Sequence, residues 1–161
     1  MSNDPVCALL NDQFDRLHRQ STALIQAVPH EKLYWQPRDS RKGVLVYSCA
    51  EHILRSAGAV EQTFGGISTN LWDDPFEWTL PETLSSVVSI IKHLEVVEAT
   101  RQSGFELFGG DDDLFKEIVV PTGETVTIFA LLLDTLVRAA HHNGCAFATL
   151  RLFSDERIPR V

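Results

Sequence analysis

The chain has 161 residues and a formal net charge of −8, and 44% of its residues are hydrophobic and 22% charged. The 22 acidic residues outnumber 14 basic ones that form no cluster on a predicted face, which argues against a nucleic-acid partner because phosphate binding needs concentrated positive charge. The longest apolar runs, such as residues 128–133, are too short to cross a bilayer, and three widely spaced cysteines make no disulfide framework. We therefore expect one globular domain, residues 1–161, in a reducing cytoplasm, without a membrane partner.

Two helices are predicted in the first half of the chain. The first opens at Asp4, an N-cap residue followed by proline in the first turn, and ends at Pro29. The second follows Gly43 and is expected to stop at the pair Gly65 and Gly66, because adjacent glycines are typical of helix ends.

A third helix is predicted after a loop in which Trp72 and Trp78 cover one end of the core. Thr79 and Glu82 have the spacing of a capping box, and apolar residues then recur at helical intervals until Gly104. This pattern predicts a helix that starts soon after the box.

The only strand-like run lies at residues 115–120 and is followed by a turn at 121–124. We expect a small extended loop or hairpin there, just before the last helix. Four long helices and no extended sheet predict an all-α four-helix bundle, a fold that builds ligand and metal sites between facing helices.

The last predicted helix, within residues 126–153, is apolar on most sides, which is typical of a buried helix. Asp134, Arg138 and His142 follow one another at i, i+4 positions and form one polar stripe along it. We expect the Arg138 guanidinium to be at least partly buried and to pair with Asp134 or, across the bundle, with Glu51. On this interpretation Arg138→Ala would lower the free energy of unfolding by more than about 2 kcal/mol.

Four segments give the chain a resemblance to a known family. They are Val-Pro-His-Glu-Lys-Leu-Tyr-Trp-Gln-Pro at 28–37, Ala-Glu-His-Ile at 50–53, His-Asn-Gly at 142–144 and Leu-Arg at 150–151. In order and spacing they resemble the DinB-like (DNA-damage-inducible) four-helix bundles, which are related to metal-dependent thiol S-transferases. The resemblance implies a homodimer through helix faces, with which the many aromatic side chains at Trp35, Trp72, Phe76 and Trp78 are compatible.

The resemblance also implies three histidines around a divalent metal, one on the second helix and a His-x-x-x-His pair on the fourth. His52 matches the first and His142 the last, but the middle position is Arg138, which cannot ligate a metal because its guanidinium stays protonated. Cys49 and Cys145 lie one turn from these histidines and could complete a tetrahedral set. The alternative is that both cysteines are small buried hydrophobic residues.

Two functions follow and stay open at this point. The first is a thiol transferase or hydrolase that acts on a small molecule with zinc, nickel or manganese bound at His52 and His142. The alternative is a metal-free member of the family that serves as a small-ligand-binding or interaction module. In that case Arg138, with Asp134, replaces the charge of the metal and holds an anionic group of the ligand.

Overall fold

The computed structural model describes residues 4–38, 43–73 and 82–158. Its elements are, in chain order, α1 (Pro5–Gln26), a 3-10 turn (His30–Lys32), α2 (Cys49–Thr69), α3 (Val87–Glu106), a second 3-10 turn (Asp111–Phe115), β1 (Glu117–Val119), β2 (Thr125–Thr127) and α4 (Ile128–Leu150). The two strands pair antiparallel, with Ile118 opposite Val126. The predicted all-α four-helix bundle with a hairpin before its last helix is confirmed. No helix in these segments combines the length and apolar composition needed to cross a membrane.

The amino-terminal end of α1 is held by the second 3-10 turn. Asp4 occupies the N-cap position, but its side chain does not cap the helix. Instead, the Asp111 carboxylate accepts hydrogen bonds from the backbone nitrogens of Val6 (3.1 Å) and Cys7 (2.8 Å). A carboxylate at this end satisfies free N–H groups and interacts favourably with the helix dipole. A residue far along the chain therefore fixes where α1 begins.

The ends of α2 differ from the prediction. The helix starts after Ser48, whose side chain forms a capping box with Glu51, with 2.6 Å from Ser48 N to Glu51 Oε2 and 3.2 Å from Glu51 N to Ser48 Oγ. The predicted stop at the glycine pair is wrong, because the helix continues to a left-handed Asn70. A Cβ added at Gly66 would lie 2.3 Å from the Trp72 ring, so glycine is needed there for close packing.

Helix α3 also begins later than predicted. Its N-cap is Ser86, which forms a box with Ser89, whereas Thr79 and Trp78 lie outside the described residues. The helix runs past Gly104, where an added Cβ would lie 2.4 Å from the Phe64 ring. The helix ends at Glu106, so the predicted end near Gly104 is confirmed, and the glycine itself packs against an aromatic cluster. The cluster joins α1, α2 and α3 through ring contacts of 5.2 Å for Phe14 with Phe64, 5.8 Å for Phe14 with Phe105 and 5.3 Å for Phe64 with Phe105.

Helices α2 and α4 share the most extensive interface of the bundle, and small polar side chains join them. The hydrogen bonds run from Cys49 Sγ to Ala146 O (3.4 Å), from Ser56 Oγ to Ala139 O (3.0 Å) and between the hydroxyls of Thr63 and Thr135 (2.6 Å). Thr135 Oγ1 donates to Leu131 O at 2.8 Å, so Thr63 is the donor in the third bond. Small side chains bring the two helices close enough for these bonds to form.

The same interface overturns the expectation that α4 is buried on most sides. Its buried residues are Leu132, Thr135, Ala139, Asn143, Ala146, Thr149 and Leu150, a narrow face made largely of small or polar residues. Leu133, Val137 and Phe147, by contrast, are exposed. The error has a physical cause: at a close helix–helix contact small residues fill the interface, so the large apolar side chains do not mark the buried face.

Candidate functional site

The α2–α4 interface brings His52 and His142 into direct contact. Their Nδ1 atoms are 3.2 Å apart and their ring centroids 5.5 Å apart. Two nitrogens at this distance share one proton in a hydrogen bond, so one imidazole donates and the other accepts. The sequence predicted both histidines as site residues, and the structure places them together.

Aromatic and cationic side chains surround this pair. The Tyr47 ring stands edge-on to His52 with 5.4 Å between centroids, and the Arg55 guanidinium lies 4.0 Å from the Tyr47 centroid. On α4, the His141 ring centroid is 5.7 Å from that of His142. The stacked guanidinium is held in place by a cation–π contact.

Both histidines of the pair are held neutral. Burial lowers the pKa of His142 to about 4, and electrostatic repulsion from His52, His141, Arg55 and Arg138 adds to this effect. Burial also lowers the pKa of His52, although the nearby Glu51 carboxylate opposes the shift. At physiological pH a neutral imidazole can donate and accept hydrogen bonds or ligate a metal.

A groove of about 410 Å³ opens beside the pair. Its described lining residues come from α2 and α4 and are Arg55, Ala59, Gln62, Val137, Arg138, His141 and His142. Two of these carry a permanent positive charge, and none of them is acidic. The groove therefore presents cationic and hydrogen-bonding groups to any molecule that enters it.

Arg138 lies at the surface, which corrects the expectation that it is buried. Its side chain is 46% exposed, and its Nε lies 3.1 Å from Oδ2 of Asp134, which is 65% exposed. The predicted ion pair within the helix is thus confirmed, but the predicted burial is wrong. Arg138 precedes Ala139, which lies on the buried face of α4, and its side chain lines the groove together with Arg55 of α2. Glu51 is engaged in the capping box of α2.

The candidate sulfur ligands lie beside other groups. Cys49 is buried, donates to Ala146 O, and has a pKa that burial raises to about 12, which disfavours the thiolate that a metal needs. Cys145 Sγ lies 3.7 Å from His141 Nε2. Across the described segments, no three histidine, cysteine, aspartate or glutamate side chains are grouped so as to hold a metal ion. Ligation by Cys49 or Cys145 stays a prediction.

Sequence reasoning missed Arg55, Tyr47 and Gln62 as neighbours of the site. The signal for Arg55 was available, because it lies three residues after His52 and therefore on the same side of α2. Tyr47 precedes the helix, and only the observed start of α2 directs it towards His52.

Comparisons with protein-family models, with curated proteins and with solved structures found no match. The DinB-like resemblance stays a prediction, and the function has to be inferred from the residues of the site.

Proposed function

We propose that this bundle binds a small anionic molecule in the groove between α2 and α4, without requiring a resident metal ion. The observation that carries the proposal is the joint lining of the groove by Arg55 and Arg138, next to a neutral histidine pair. Guanidinium groups match the geometry of carboxylate and phosphate oxygens, and an imidazole N–H can donate a further hydrogen bond. In the DinB-like frame, Arg138 replaces the positive charge that relatives obtain from a metal.

The Arg138 guanidinium can exchange partners. Its pair with Asp134 is exposed on both sides, and exposed pairs contribute only about 0 to 1 kcal/mol to stability. A ligand anion that also contacts Arg55 or His141 offers more hydrogen bonds than the single carboxylate does. Asp134 therefore acts as a competitor that an anionic ligand displaces.

Inorganic phosphate, titrated into protein labelled for ¹H–¹⁵N NMR, tests the proposal. We expect shifts centred on α2 and α4, and we expect Arg138→Gln to weaken binding about tenfold, because a hydrogen bond to a charged group contributes about 1.5 kcal/mol. Asp134→Asn should strengthen binding, since it removes the competing carboxylate. Arg19→Gln is the matched control, because Arg19 forms a similar exposed i, i+4 pair with Asp15 on α1. Equal affinity of Arg138→Gln and the unchanged protein would refute the proposal.

The second candidate function is a divalent-metal-dependent thiol transferase or hydrolase. The distance between the two Nδ1 atoms favours it, because two imidazoles on one tetrahedral zinc ion, with bonds of about 2.0 to 2.1 Å, hold their nitrogens about 3.3 Å apart. His52 and His142 would be the protein ligands of zinc, nickel or manganese. A bound ion with open positions would lower the pKa of a thiol or water and so generate a nucleophile.

Metal analysis of untagged protein separates the two candidates. After reconstitution, less than about a tenth of an equivalent of zinc, nickel or manganese removes the enzyme candidate. Arg138→His should then create metal binding, because it adds a third imidazole one turn before His142.

Two further parts of the proposal concern location and assembly. A reducing cytoplasm is supported by the three cysteines, all of which are unpaired.

A homodimer through helix faces is supported by the exposed apolar side chains of Leu133 and Val137 on α4. Trp35 and Trp72 do not contribute to this argument, because Trp35 packs on Phe153 and Trp72 packs within its own chain. Phe76 and Trp78 lie outside the described residues.

A further inference from the structure

A second groove, of about 730 Å³, lies on a different face of α4, between α4 and α1. Three arginines line it: Arg16 from α1, Arg151 at the carboxyl-terminal end of α4, and Arg157 in the segment that follows. None of its described lining residues is acidic. In a chain with a net charge of −8, this groove concentrates positive charge.

The charges in this groove are not neutralised within the described part of the chain. Arg151 donates to two main-chain carbonyls, Ser154 O (3.2 Å) and Glu156 O (2.6 Å), and its guanidinium stacks 4.8 Å from the Phe147 centroid. These contacts orient the guanidinium without supplying a negative charge. Arg16 and Arg157 form no ion pair with any other residue of the described segments. Arg138, by contrast, already has a carboxylate partner.

Apolar side chains form the rest of the groove wall. Leu24 lies at its base on α1, Phe147 presents a partly exposed ring on α4, and Ile158 packs against the core beyond α4. A cleft of several hundred cubic ångströms with an apolar wall and a few convergent polar groups is typical of small-molecule sites. The combination suits a molecule with an anionic end and an apolar body, and the volume is that of a single small molecule.

The space beside Gly144 is a second observation, separate from the arginines, that points to a ligand in this groove. Gly144 lies inside α4, where glycine destabilises a helix relative to alanine, and it lines the groove. The glycines inside α2 and α3 that pack most tightly are explained by the rings they contact, Trp72 at Gly66 and Phe64 at Gly104. A Cβ added at Gly144 would meet no atom within 4 Å. No protein group occupies the space that this glycine leaves open.

We infer that the groove between α1 and α4 binds a small amphiphilic anion, with its carboxylate, phosphate or sulfonate group held by Arg16, Arg151 and Arg157 and its alkyl or aryl body lying over Gly144 and Phe147. This site is separate from the groove beside the histidine pair, and it does not depend on the function proposed for that groove.

Decanoate, titrated as a monomer below its micelle concentration and followed by ¹H–¹⁵N NMR, tests the inference. We expect chemical-shift changes centred on Gly144 and Phe147. Decanol, which has the same chain length without the charge, and acetate, which has the charge without the chain, should each bind at least about tenfold more weakly, a difference of about 1.4 kcal/mol. Equal binding of decanol would show that the arginines do not recognise the ligand. Equal binding of acetate would show that the apolar wall does not contribute to binding.

Variants of the groove make the test sharper. Gly144→Leu fills the space and keeps every charge, so it should reduce decanoate affinity at least about tenfold while the melting temperature stays equal or rises, because leucine is the better helix former. Gly144→Ala should keep most of the binding. A double change, Arg16→Gln with Arg157→Gln, should also weaken binding, whereas Arg19→Gln on the same helix should not.

Two outcomes would overturn the inference: unchanged decanoate affinity in Gly144→Leu, or unchanged affinity in the double arginine variant. Arg138→Gln distinguishes this site from the first groove. It should weaken phosphate binding beside the histidine pair and leave decanoate binding unchanged, so that either site can fail alone.

Discussion

Arg101 and Arg138 each follow an acidic residue by about one helical turn, yet they lie in opposite environments. Arg101 on α3 is paired with Glu98, and their side chains are 3% and 12% exposed. Arg138 on α4 is paired with Asp134, and those side chains are 46% and 65% exposed. The local sequence pattern is nearly the same in the two helices. The difference arises from the helix that faces each arginine.

Helix α1 supplies a hydrogen-bond acceptor for Arg101. The Arg101 guanidinium binds both carboxylate oxygens of Glu98 and the side chain of Asn11 on α1, and it lies 5.5 Å from the Phe105 centroid. A buried charge is tolerated only where hydrogen bonds replace those of water, and here a neighbouring helix provides one. Around Arg138 the adjacent helix is α2, and its contact with α4 is filled by small side chains. The buried arginine therefore ties α1 to α3, whereas the exposed one faces solvent.

The largest expected effect is the loss of the buried pair. Arg101→Ala would leave the largely buried Glu98 carboxylate without its cationic partner and would remove the hydrogen bond to Asn11 on α1. We expect it to lower the free energy of unfolding by about 3 to 5 kcal/mol, measured by urea denaturation followed by circular dichroism. A loss below about 1 kcal/mol, the value of an exposed pair, would contradict the burial of Arg101.

A double variant isolates the unpaired charge as the cause. Arg101→Met together with Glu98→Leu removes both charges and keeps side chains of similar length. Its stability should lie well above that of Arg101→Ala, because replacing both members of a buried pair by apolar residues is often close to neutral. If the double variant is as unstable as Arg101→Ala, packing and not charge accounts for the loss.

The contrast between the two arginines shows how much of the fold the sequence predicts. The contact of α2 with α4 at His52 and His142 was implied by the family resemblance. The four helices and the hairpin follow from periodicity, turn residues and spacing. These features depend on short-range patterns that a single chain displays directly. The capping box at Ser48 and Glu51 is of the same kind, although sequence reasoning assigned Glu51 a different partner.

The burial of individual charges could not be predicted, because it depends on which faces of two helices meet. Counting large apolar residues on α4 indicated burial on most sides, but the interface with α2 uses Ala139, Ala146 and Thr135. The sequence does not indicate that Arg101 is buried, because its acceptor Asn11 is ninety positions away along the chain. The small residues of α4 were the signal that could have identified its buried face.

The second expected effect is a pH dependence of the free energy of unfolding, which arises from the histidine pair near Arg138. In the folded protein the pKa of His142 is lowered to about 4 and that of His52 is also lowered, whereas an unfolded histidine titrates near 6.5. Between pH 6.5 and about 4 the unfolded chain therefore binds more protons, and the free energy of unfolding falls as the pH falls through that window. Electrostatic repulsion of a proton on His142 by the groups that face it, which are His52 and Arg55 on α2 and His141 and Arg138 on α4, acts in the same direction.

Urea denaturation between pH 7 and pH 4.5 measures this effect. His142→Gln should show a shallower loss of stability than the unchanged protein, and the difference between the two slopes is the relevant quantity. His93, whose pKa burial also lowers, is present in both proteins and cancels in that difference. The effect should be smaller than that of Arg101→Ala, because both histidines of the pair are only half-buried. Equal slopes would mean that His142 is as accessible to protons in the folded state as in the unfolded state.

The smallest expected effect concerns Arg138 itself. The sequence pattern predicted a loss of more than about 2 kcal/mol for Arg138→Ala, but the exposed pair changes that expectation to about 0.5 kcal/mol or less. Arg19→Ala, which breaks the equally exposed pair with Asp15 on α1, should cost about as much, and added salt should reduce both losses because exposed charges are screened. If Arg138→Ala costs far more than Arg19→Ala, the Arg138 guanidinium is covered in solution by something outside the single chain. A loss that then shrinks on dilution would identify a second copy as the cover, since association depends on protein concentration and an ion pair within one helix does not.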